Sequence, residues 1–304
     1  MTNRFPAGRW AFVLLVLLLL SNAPAVLPAA PAGPSGAARA KMLHPAQAPQ
    51  ERFTILVSND DGYDAPSLWA LVEALRPIAE IYVVAPATNQ SGKGHSITTS
   101  YDPIFVVEKK QASGALWYAV EAPPATCVRL GIEALLPRRP DLVVSGINPG
   151  DNLGISVYLS GTLGAAREAA LVGIPAIAVS QRGSSRDFSA TAAYMRRLVE
   201  ELRARHLLKP GFFLNVNTPG GEPKGTRVAR MSMEPTNDSF ERRASPRGRI
   251  YFWSRYRPPE GGAEGTDSWA ATQGYVALTP LLLDETHTQA MEALRPFEKA
   301  MTPP

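Results

Sequence analysis

Cysteine is nearly absent from this 304-residue chain, with Cys127 the single example. That excludes an intramolecular disulfide framework. Cys127 opens an apolar helical stretch and reads as a small buried hydrophobe, in a chain whose thiol content is compatible with an oxidising compartment. Net charge is also scarce: the formal excess is +4, and it falls to +2 without Arg4 and Arg9. So small an excess makes no case for a nucleic acid polymer as partner. Internal repeats are missing. Long hydrophobic runs are missing too, because the apolar stretch Trp10 to Leu20 falls short of the about 20 residues a membrane span needs. No stable membrane span is expected.

That stretch does suit export. Arg4 and Arg9 precede it, and Ala23-Pro24-Ala25 follows with small residues at the spacing signal peptidase reads. Residues 1–25 are therefore expected to be a signal peptide cleaved after Ala25, sending the chain to the periplasm or outside the cell. An uncleaved N-terminal membrane anchor is the alternative. The only cysteine lies far downstream, which argues against a lipid-anchored lipoprotein. Residues 26–50, rich in Pro, Ala and Gly without apolar periodicity, read as a flexible linker. Residues 51–304 are long enough for one large domain with a well-buried core.

Strand-like and helix-like stretches then alternate. Phe53 to Val57, Ile81 to Ala85, Trp117 to Val120, Leu142 to Val144 and Ile174 to Val179 read as strands, as do Val106 and Val107. Leu68, Leu71, Val72 and Leu75 share one helical face. Val128 to Leu136, Ala165 to Val172 and Ala190 to Arg205 are helical in pattern. The alternation predicts an α/β fold with a doubly wound, mostly parallel sheet. From about 212 onward, short extended pieces (Phe212 to Val216, Ile250 to Trp253, Tyr275 to Leu278) sit between turns rich in Gly, Pro and Arg. They predict an appended β-rich C-terminal extension that forms a hairpin or an oligomer contact.

Three strand ends carry polar groups suited to one site. The first is Asn59-Asp60-Asp61, whose adjacent carboxylates repel unless a cation or a proton sits between them. The second is Asn89-Gln90-Ser91-Gly92, and the third Ser145-Gly146-Ile147-Asn148. Parallel strands align such ends along one sheet edge, where ligands of α/β folds bind. Two carboxylates, a hydroxyl and an amide oxygen suit Mg²⁺ or Mn²⁺, and no His or Cys cluster points to zinc. Taken singly, the acidic pair has a helix-capping turn as its alternative reading, whereas Ser91 or Asn148 alone reads first as an ordinary turn or cap residue. Gly150-Asp151-Asn152-Leu153-Gly154 followed by Ser160-Gly161-Thr162 adds a candidate anion site, with Ser160 a helix N-cap and free N–H groups in the next turn, although the motif alone favours a plain cap. His95 is either a phosphate contact or proton donor, or a loop His bonded to backbone. Arg247 and Arg249 meet substrate, brace a subunit contact, or pair in solvent.

Taken together, these segments resemble the survival-protein SurE family of metal-dependent 5'/3'-nucleotidases. The resemblance rests on Ser58 to Gly62, Asn89 to Gly92 with Gly94-His95-Ser96, and Val144 to Asn148 through Ser160-Gly161-Thr162. Further matches are Pro246 to Arg249 with Tyr251 and Trp253, and Gly265-Thr266-Asp267 leading to Gly274-Tyr275-Val276. It implies a Rossmann-like fold and one Mg²⁺ or Mn²⁺ per subunit, held by Asp60, Asp61, Ser91 and Asn148. It also implies hydrolysis of nucleoside monophosphates in a homodimer or homotetramer. Asp60 and Asp61 are the candidate catalytic carboxylates, and neither is assignable as a base. An aspartyl-phosphate intermediate is disfavoured because the D-x-D spacing of dehalogenase-like phosphatases is missing. Ser67 departs from the family's usual Gly, and the export signal from its usual cytoplasmic setting. The rival from another class is an exported metal-dependent nucleotide-binding protein without turnover.

Overall fold

A computed structural model describes residues 52–110, 115–235, 238–255 and 261–301. The expected signal peptide and linker lie outside the described residues. Six short apolar runs become parallel neighbours: β1 (Thr54–Ser58), β2 (Glu80–Pro86), β4 (Leu116–Val120), β5 (Leu142–Pro149), β6 (Ala176–Gln181) and β7 (Phe213–Thr218). Their order is β4-β2-β1-β5-β6-β7, extended by β3 (Val106–Lys110) at one edge and by β11 (Val276–Pro280) and β8 (Thr226–Val228) at the other. β3 and β11 run antiparallel to their inner neighbours. All residues of β1, β6 and β7 are buried, as strands covered on both faces must be.

Alternation along β1 sorts the core into two layers. Ile55 and Val57 face the layer of α1 (Pro66–Leu75) and α4 (Ser189–Ala204), where they meet Leu68, Leu71, Val72 and Met195. Leu56 faces the layer of α2 (Pro124–Leu130) and α3 (Gly161–Leu171), with Cys127, Val128, Leu163 and Ala166. Burial pushes the Cys127 thiol pKa up, so it is inert filling. The α/β, mostly parallel, doubly wound architecture expected from the alternation is the one observed.

Several boundaries differ from the expectation. The helix expected from Ala165 begins at Gly161, because Ser160 accepts the Leu163 N–H and caps it four residues earlier. The helical stretch Val128 to Leu136 is α2 followed by a wider π-type turn over Gly131–Leu135. There Gly131 packs so closely that a Cβ would sit 3.1 Å from Val84. The pieces near Phe212 and Tyr275 are not appended: β7 pairs with β6 and β11 pairs with β7, inside the main sheet. The separate extension is the two-stranded hairpin β9 (Ser239–Ala244) and β10 (Ile250–Arg255), with Phe240, Phe252 and Trp253 exposed. After it come α5 (Asp267–Thr272) and two short exposed helices, α6 (Thr288–Leu294) and α7 (Pro296–Ala300). No helix among the described residues is long and apolar enough to cross a membrane.

Leu71 is fully buried between α1 and the sheet. Leu71→Ala is expected to cost about 2–5 kcal/mol in urea unfolding of the chain, and a loss below half a kcal/mol would contradict this packing.

Candidate active site

The strand order reverses between β1 and β5: β2 and β4 lie on one side of β1, and β6 and β7 beyond β5 on the other. The crevice at the carboxyl ends of such a pair is where α/β sheets bind ligands. Ser58, the last residue of β1, pairs with Ser145 of β5. The chain then turns through Asn59, which is fully buried. Asn59 Nδ2 donates to the Gly62 carbonyl at 2.9 Å, and Asn59 Oδ1 accepts from the Gly62 N–H at 3.2 Å. Gly62 adopts φ +120°, a conformation side chains resist. The turn is thus closed on itself, with Asp60 and Asp61 at its tip.

Asp60 is almost wholly buried, and its Oδ1 accepts from the Thr162 hydroxyl at 2.7 Å. Gly161 comes so near that a Cβ there would lie 2.8 Å from the Asp60 Cβ. Burial raises the Asp60 pKa, against lowering by the Thr162 hydroxyl and by backbone N–H groups including those of Gly161 and Thr162. The start of α3, expected as an open anion site, is therefore turned onto the protein's own carboxylate. Asp61 is less buried, yet its Oδ2 is inaccessible and has no hydrogen-bond partner. Burial, then the Asp60 charge, push its pKa up to about 7, offset in part by Arg186. A raised carboxyl pKa means that ionising the group opposes folding as pH rises through it, an opposition that a bound cation offsets.

Asn148 reaches the same crevice through a register shift in β5 between Ser145 and Asn148. Gly146 permits it, at φ +134°, where an added Cβ would lie 2.3 Å from the Val179 carbonyl. Asn148 Nδ2 donates to Gly150 O at 2.7 Å, which settles the orientation of its amide. Asn152 is gripped from β6 and β7. Its carbonyl accepts from Asn215 Nδ2 and Asn217 Nδ2, its N–H donates to Asn217 Oδ1, and its Nδ2 to Ser180 Oγ. One step further, the fully buried Asp267 at the start of α5 accepts from the backbone N–H groups of Gly154, Ser232 and Ser268. It ties the C-terminal part of the chain to the loop beside the site.

The Ser91 loop closes the crevice. The Gln90 N–H donates to the Asp60 carbonyl at 2.7 Å, and the Ser91 N–H to Asn89 Oδ1 at 3.0 Å. Asp60, Ser91, Asn148 and Ser160 line one hollow of about 410 Å³, with Asp151 and Asp238 on its wall. Asp61, Asn89 and Arg186 line the adjoining hollow of about 480 Å³, with Pro149 common to both. A larger hollow of about 640 Å³, beside Arg52, Glu80 and Leu116, lies at the opposite ends of the strands and holds none of these groups.

The structure thus gathers Asp60, Ser91, Asn148 and Ser160, with Asp61 next to them. The other expected phosphate contacts meet groups of the protein itself. His95 does not face the hollow: its Nε2 donates to Glu168 at 2.7 Å. Thr162 is fully buried and spends its hydroxyl on Asp60, and Gly161 backs the same carboxylate. Asn152, expected in the candidate anion stretch, is instead the hub of a hydrogen-bond network, and sequence reasoning did not single out Asn215, Asn217 or Glu168. The signal for the asparagines was there, as two polar residues two apart in an apolar strand at its carboxyl end. Among the described residues no group of three His, Cys, Asp or Glu side chains gathers. The set here is two carboxylates with neutral oxygens, the chemistry of a hard cation.

A family profile described as "Survival protein SurE" matches residues 55–238. A protein of Desulforudis audaxviator named 5'-nucleotidase SurE is 41% identical over 247 residues, covering 79% of this chain and 96% of that one. The 5'-nucleotidase SurE 1 of Thermus thermophilus is 42% identical over 252 residues, covering 82% and 99%. The crystal structure of the SurE protein from Aquifex aeolicus superposes with a TM-score of 0.70 at 36% identity, covering 81% of this chain and 99% of that one.

Two substitutions test the framework. Thr162→Val removes the hydroxyl that serves a buried carboxylate, and Asp267→Asn sets an amide NH₂ among three backbone N–H groups. Each is expected to cost about 1–3 kcal/mol by denaturant titration; unchanged midpoints would show that these contacts hold nothing.

Proposed function

The chain belongs to the survival-protein SurE family, and from that premise we propose that it is a divalent-metal-dependent phosphomonoesterase. It hydrolyses nucleoside monophosphates to nucleoside and phosphate. The observation that carries the reading is the buried carboxylate pair, in which Asp61 Oδ2 is shut from water without a partner. An unsatisfied buried acceptor beside a second carboxylate is costly, and Mg²⁺ or Mn²⁺ meets both needs. Asp60, Asp61, Ser91 and Asn148 would hold it, an all-oxygen set that leaves room for waters. When bound, such a cation polarises a phosphoryl oxygen and neutralises developing charge.

The chain's own groups supply the rest. The Thr162 hydroxyl and the first amides of α3 keep Asp60 fixed and favour its ionised form. With Oδ2 of Asp61 given to the cation, the rest of that carboxyl, which borders the hollow of about 480 Å³, is available to orient an attacking water. That water adds to phosphorus as the ester P–O bond breaks, and the nucleoside leaves as its alcohol. The hollow of about 410 Å³ is of the size that takes small-molecule substrates. Ser160 on its wall is placed to meet a phosphate oxygen. The leader-like N-terminus makes this an exported activity, and the exposed aromatic hairpin suits contact with a second copy in a homodimer or homotetramer.

EDTA is expected to lower phosphate release from purine monophosphates by at least about a hundredfold, and Mn²⁺ to restore it. Asp61→Asn should lose turnover by a similar factor with an unchanged circular dichroism spectrum. Full activity in chelator would sink the metal assignment. Metal-dependent nucleotide binding with no phosphate released would instead identify a binding protein.

A further inference from the structure

One face of α3 touches both segments that carry the proposed ligands. Gly161, Gly164 and Glu168 recur at i, i+3 and i+7, the spacing of a single helical face. Gly161 backs Asp60. Gly164 lies against the Ser91 loop so tightly that a Cβ would sit 2.2 Å from the Gly94 carbonyl. The Gly94 N–H in turn donates to the Leu159 carbonyl at 3.0 Å. Glu168 then grips the far end of the loop, accepting from His95 Nε2 at 2.7 Å, while Arg129 of α2 pairs with its other oxygen at 2.5 Å.

Glu168 is 5% exposed and stands in a helix otherwise built of Gly, Ala, Leu, Thr and Arg. Burying a carboxylate there is unfavourable unless it is paired. Burial works to raise its pKa, but His95 and Arg129 together hold it below the ordinary carboxylate value. An apolar residue would serve packing alone at this position, so the carboxylate calls for another role. Ser91 itself is exposed, and its loop has few other anchors: the Gln90, Ser91 and Gly94 amides and the Thr98 N–H to Thr126 Oγ1.

We propose that Glu168 is a positioning residue which, through His95, holds Ser91 at a fixed place relative to Asp60. The inference rests on the reading of Ser91 as a metal ligand. α3 then sets the spacing of the ligands as a ruler does, with Asp60 seated at its first turn and the Ser91 loop clamped two turns on. Arg129 balances the Glu168 charge and joins α2 to α3.

The test is calorimetric titration of Mn²⁺ alone into the full chain and its variants. Glu168→Gln and His95→Ala are each expected to weaken Mn²⁺ binding about 10–100-fold, the usual effect of losing a group that orients a ligand. The double variant should be no weaker than the worse single one by more than about threefold, because the two act as a unit. Turnover at saturating Mn²⁺ should recover in both singles. Arg129→Ala, which removes the partner of the other Glu168 oxygen, should lower Tm but keep Mn²⁺ affinity within about twofold. His95 lies on a loop, so His95→Ala remains informative if Glu168→Gln unfolds. Equal Mn²⁺ affinity in wild type and His95→Ala would overturn the proposal. A wild-type chain that takes up no Mn²⁺ would overturn the metal reading beneath it.

Discussion

Two adjacent carboxylates at the buried end of a parallel strand are the constraint on which the rest of this molecule depends. Asp60 and Asp61 cannot both be charged in a dry crevice without a compensating cation. The fold does not relieve the repulsion by exposing them. It holds Asp60 with the Thr162 hydroxyl and leaves an Asp61 oxygen buried and unserved. The closed Asn59–Gly62 turn prevents the tip from relaxing into solvent. On the proposed reading, a pair kept under tension in this way is a receptor for positive charge.

Everything near the pair serves to fix distances. The register shift in β5 turns Asn148 toward the crevice, and the Asn152, Asn215 and Asn217 network immobilises the loop that follows. Asp267 extends that rigidity to the C-terminal segment, which explains why a residue so far along the chain is buried with three N–H groups around it. α3 couples the crevice to the Ser91 loop. Side chains that would be ordinary caps in isolation become parts of one site because the switch in strand order brings their loops together.

The parallel sheet and the site's location were legible in the sequence for a simple reason. Strands buried on both faces read as uninterrupted apolar runs, so the polar residues after Val57, Ala85 and Val144 stood out at strand ends. The C-terminal part was harder. Phe213–Thr218 carries Asn215 and Asn217, and polar residues in a short run look like the edge of an appended hairpin rather than a central strand facing the site. The pairing of His95 with Glu168 spans 73 residues and is invisible to any local pattern. Thr162 read as part of an anion site because a helix N-terminus favours negative charge. The charge it meets is Asp60 itself.

The most direct test compares thermal melting of wild type and Asp61→Asn, with and without Mn²⁺. If the pair is a repulsion awaiting a cation, neutralising Asp61 leaves the metal-free Tm equal to or above that of wild type and abolishes the rise that Mn²⁺ produces in the wild-type chain. A lower metal-free Tm, with the full Mn²⁺-induced rise retained, would contradict the account at its root.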